Sequence, residues 1–77
     1  MDGLIEGRIV HFVLEKGQHR PAIVVKVWNK DSGSVNLQVF TDGSNDGELY
    51  ASGMYWATSI MPSETNEVRT WHWIEKA

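Results

Sequence analysis

The sequence predicts an all-β fold, a small five-stranded SH3-like barrel, from three observations. Five short segments are rich in β-branched and aromatic residues, several with period-two alternation. The stretches between them carry Gly, Asn, Asp and Pro in turn-forming order. No segment shows sustained helical spacing of apolar residues. In a chain of 77 residues, closing such a meander into a barrel is the economical way to remove sheet edges. An OB-type barrel fits less well, because the glycine-rich stretch 44–52 is a poor source of the helix that topology wants.

The elements follow in order. Residues 2–7 form a polar lead with two glycines, and residues 8–14 (RIVHFVL) read as the first strand, apolar on both faces and so central or bent. Glu15, Lys16, Gly17 and Gln18 make a compact turn. The second strand spans residues 20–28, with Pro21 confined to its start or to an edge because it lacks an N–H. Ile23, Val25 and Val27 form one of its faces. The turn 29–33 ends in Asp-Ser-Gly and leads into the third strand, 34–41, the most regular of the five: Val35, Leu37 and Val39 alternate with Asn36, Gln38 and Phe40. A structured polar loop, 42–47, and a connector at 48–52 follow, the latter long enough for one helical turn. Residues 53–61 read as the fourth strand, 62–67 as a loop, and 68–74 (VRTWHWI) as the fifth.

Composition narrows the function. The chain is one domain near the lower size limit for a self-sufficient core. With no cysteine it has neither disulfides nor thiolate metal sites, which fits a reducing compartment. A net charge of −3 without any basic run argues against binding duplex DNA. The leading MDGLIEGRIV has no charged-then-apolar pattern and no apolar run reaches transmembrane length, so a cytoplasmic protein that does not engage a membrane is expected. Four tryptophans are many for this length; a barrel this small cannot enclose all of them, and one or two are expected to be partly exposed.

Several groups are candidates for chemistry. Arg20, beside His19, presents a planar fork suited to carboxylate or phosphate; the alternative is an internal pair with Asp42 or Asp46. The loop Asp42-Gly43-Ser44-Asn45-Asp46-Gly47 opens like a calcium loop, but Gly53 stands where the bidentate Glu belongs, so Asp42 and Asn45 capping the turn is the better reading. Trp71 and Trp73 share one face if strand-borne, either filling the barrel or, with Trp56, forming a stacking platform. His11, His19 and His72 would need to meet Asp42 or Asp46 to hold a metal. Their spacings match no local ligand motif, so neither a metal nor another cofactor is predicted. No Ser/His/Asp arrangement stands out, and a small barrel without a second layer is a poor enzyme scaffold.

At GRIVHFVL, HRPAIVVKVW, VNLQVFTDGSNDG, WATS and TWHW the chain resembles a family of small tailed-phage and prophage proteins with no assigned activity. The resemblance covers nearly the whole chain, and HRPA, NLQVFTDG and TWHW are its most specific parts. It implies a phage or prophage accessory protein of the bacterial cytoplasm, of the class that counters host defence by sequestering nucleotide signals or binding host proteins. The expectation is therefore a non-enzymatic, homo-oligomeric binding module for a small anionic or nucleotide-like ligand or a host protein. Its site would draw on His19, Arg20, Asn36, Gln38, Asp42, Asn45, Asp46, Trp56, Trp71 and Trp73. The competing expectation is a virion assembly subunit with no small ligand.

Overall fold

A computed structural model describes residues 1–76. The described residues form a single antiparallel sheet of five strands: β1 (Ile9–Val13), β2 (His19–Asn29), β3 (Ser34–Phe40), β4 (Met54–Ile60) and β5 (Trp71–His72), in the order β4-β3-β2-β1-β5. Two 3-10 turns, Gly43–Asp46 and Glu48–Tyr50, join β3 to β4.

The first four strands lie within two residues of the segments their patterning marks. The alternation in β3 becomes burial: Val35, Leu37 and Val39 are fully enclosed and meet Val10, Phe12, Ala22, Val24 and Ala57 in the core. On the opposite face Ile9, Ile23, Gln38 and Trp56 stand in one row across four strands. Val25 and Trp28 fall at two bulges of the β2–β3 ladder and are exposed. A third bulge sets residues 58 and 59 of β4 against Asn36 of β3, with Ser59 held at φ 54°. Asn36 satisfies this bulge from inside: its Oδ1 accepts from the Ser59 amide (2.9 Å) and the Trp28 indole (2.8 Å).

Two expectations need correction. The sheet is open rather than closed: β4 and β5 are its edges. Across that seam the chain makes one isolated parallel bridge, Pro62 with Trp71, through Trp71 N–H to Met61 O (3.1 Å) and Ser63 N–H to Trp71 O (2.9 Å). The fifth strand is also far shorter than residues 68–74. Asn66 and Arg69 adopt left-handed conformations (φ 57° and 61°), so extended backbone resumes only at Trp71. Of the four indoles only Trp71 is buried, its Nε1 donating to the Gly33 carbonyl (2.8 Å); Trp28, Trp56 and Trp73 are exposed.

Candidate metal centre

β1 lies between β2 and β5, and this placement builds the site. His11 is paired with His72 of β5, while Val13, two residues on, is paired with His19 of β2. Directly opposed residues share a face, as do residues two apart along one strand, so the three imidazoles rise from one patch. Their ring centroids are 4.7–6.1 Å apart and mutually edge-on. The segment after β5 then brings Glu75 over them. Its Oε1 lies 2.8 Å from His11 Nδ1 and 2.8 Å from His72 Nε2, and its Oε2 lies 3.0 Å from His19 Nδ1.

One ligand atom from each of His11, His19, His72 and Glu75 lies within 4.8 Å of all the others. A four-coordinate zinc with bonds of about 2.0–2.2 Å would need them about 3.4 Å apart, so the 2.8–3.0 Å imidazole–carboxylate contacts would widen while the longer separations close. The Glu75 carboxylate thus reaches all three rings. Its charge is held tightly: Glu75's own amide first, then His11, lower its pKa to about 2. The histidine side chains are mostly covered, while that of Glu75 is about half exposed. His72 Nδ1 is buried and has no hydrogen-bond partner among the described residues.

The other predicted site residues separate into different roles. The Arg20 fork is already engaged: Nε and Nη2 donate to the Asp46 carboxylate at 2.7 and 2.6 Å. Asp46 is buried and also accepts the Asp42 amide (2.7 Å), so it, rather than Asp42 or Asn45, caps the 3-10 turn. Arg20 foremost, with the Asp42 amide, lowers the Asp46 pKa to about 2. Asn45 reaches only Asp42 (3.4 Å), Asn36 serves the β4 bulge, and Gln38 Nε2 donates to the Tyr55 carbonyl (3.3 Å). Trp56 stands on the outer sheet face, remote in the strand order from β5. Trp71 and Trp73 pack edge to face at 5.1 Å beside the histidines.

Sequence reasoning named the three histidines together but paired them with the wrong acids. Asp46 is committed to Arg20, and the acid that converges is Glu75. The available signal was His72 within the TWHW segment and Glu75 three positions further on, together with HRPA supplying His19. Their meeting at His11 follows only from the long-range β1–β5 pairing. Compared with protein-family models, curated proteins and solved structures, the chain matches none.

Proposed function

We propose that this chain is a small, non-enzymatic binding module whose ligand is one divalent transition metal of the zinc type, held by His11, His19, His72 and Glu75. The observation that carries this reading is the convergence of three imidazole nitrogens and one carboxylate oxygen, from three strands and the segment after β5, within 4.8 Å. Imidazole favours zinc, copper, iron and nickel over calcium or magnesium, and three of the four donors are imidazoles. The Arg20 clamp contributes nothing to a ligand in this reading, because Asp46 occupies its fork. The strand order and the Pro62–Trp71 bridge favour describing the scaffold as an SH3-like barrel opened along one seam.

The test is calorimetric titration of metal-free protein with Zn2+. One ion per chain is expected, with micromolar or tighter affinity. His19→Ala and His72→Ala should each weaken binding by about tenfold or more, while far-ultraviolet circular dichroism confirms the fold. Absence of binding, or folded histidine variants that bind as tightly as wild type, would sink the reading.

A further inference from the structure

The four donors are not equally fixed. His11 and His72 lie within paired strands and His19 begins β2, whereas Glu75 belongs to the segment beyond β5 and its side chain is 52% exposed. Glu75 is therefore the donor that can leave with least rearrangement of the sheet. Its departure opens onto a cavity of about 360 Å³, for which His72 and Glu75 themselves form one wall. That volume is at the low end for small-molecule sites.

The remaining walls say what would fit. Pro62, Trp71 and Trp73 give apolar and aromatic surface; Trp71 is pinned through its indole N–H to Gly33, and Trp73 is braced against it and under the Arg8 guanidinium at 5.5 Å. Asn66 and Ser63 supply neutral polar groups. No Lys or Arg lines the cavity; Met1 does, but its terminal ammonium already donates to the Lys30 carbonyl (2.8 Å), and Glu64 adds negative charge, so a phosphate chain is poorly matched to these walls. The surface instead suits one flat ring attached to one metal-binding group.

We propose that the centre takes an exchangeable fourth ligand: a small aromatic molecule bearing a single anionic chelating group, which displaces Glu75 and seats its ring against Trp73. This rests on the metal-binding reading and names the ligand class for the same site. Displacement exchanges one anionic oxygen donor for another, so the metal keeps its charge balance and no redox or bond-cleaving step is involved.

The experiment uses the full chain loaded with Co2+, whose visible bands report coordination, titrated with benzohydroxamate and with acetohydroxamate. Both are expected to change the Co2+ bands while the ion stays with the protein through desalting. Benzohydroxamate should bind about tenfold tighter, because its ring buries apolar surface that acetohydroxamate lacks. Trp73→Ala should remove that difference and leave acetohydroxamate unaffected; Glu75→Gln should tighten both by removing the competing carboxylate. Unchanged bands in a Co2+-loaded protein would overturn the exchangeable position and leave the metal reading standing. Equal affinity for the two hydroxamates in wild type would overturn the aromatic seat, whatever the variants do. Failure to bind Co2+ at all would overturn both readings.

Discussion

Asp46 joins two distant parts of the chain through one carboxylate. It accepts both Arg20 donors from the start of β2 and the Asp42 amide from its own turn. Removing the charge leaves a partly buried guanidinium and a turn amide competing for the one oxygen that can still accept. Because folding depresses the Asp46 pKa from 3.8 to about 2, its contribution is present above pH ~4 and lost as pH falls through about 2. Asp46→Asn should therefore lower the urea midpoint at neutral pH, and the gap from wild type should close as both approach pH 2. A gap that persists undiminished at the acid end would mean the carboxylate charge is not what matters. Asn36 teaches a related lesson. A polar residue on an alternating strand reads as outward and available, yet Asn36 is buried, where a one-residue excess in β4 turns the Ser59 amide toward it. Bulges come from pairing between strands, and a single strand's alternation carries no trace of them.

Among the elements, the hairpin between β2 and β3 is the most tightly specified by local chemistry. Asn29 Oδ1 accepts the amides of Asp31 and Ser32, and Gly33 closes the turn at φ 83°. Gly33 is also a point of close approach: a Cβ there would lie 2.8 Å from Pro62 Cγ and 2.9 Å from Met1 Cε. Its carbonyl receives the Trp71 indole. Gly33→Ala is expected to cost about 1–2 kcal/mol from the left-handed backbone alone, with the steric clash added. Chemical denaturation measures this, and a variant as stable as wild type would show that the turn relaxes freely. The legibility of each element follows the same division. β1 to β4 could be read from β-branched composition, alternation and turn residues, all local signals. β5 could not, because Arg69, near the start of the expected strand, takes a left-handed conformation that its residue type does not demand. The open seam was illegible for the opposite reason: closure depends on whether two edges meet, and a single bridge at Pro62 suffices to cover Trp71 without a ladder. The metal centre inherits both difficulties, since its histidines were visible individually while their convergence rests on the β1–β5 pair.

At the scale of the whole molecule, Glu75 ties the short edge strand β5 to β1 and β2 through His72, His11 and His19. β5 is two residues long and pairs with β1 at two positions, and backbone bonds join Arg69 and Thr70 to Val13 and Trp71 to Met61 and Ser63 before the chain reaches Glu75. A ligand that binds only the folded chain stabilises it by mass action, by about 2.7 kcal/mol at a hundredfold excess over its dissociation constant. Zn2+ should accordingly raise the thermal midpoint of wild type in a concentration-dependent way, and raise that of His72→Ala less at the same Zn2+ concentration. A rise of equal size in that variant would place the stabilising ion elsewhere. His11 and Glu75 are 64 positions apart, so an ion bound between them encloses most of the chain in one loop. Loops of that length are where a cross-link restricts the unfolded ensemble most, since the entropy removed grows with the logarithm of loop size. A chain with no cysteine has no disulfide with which to make such a closure. Coordination would supply its reversible counterpart, set by metal availability where a disulfide would be set by redox potential.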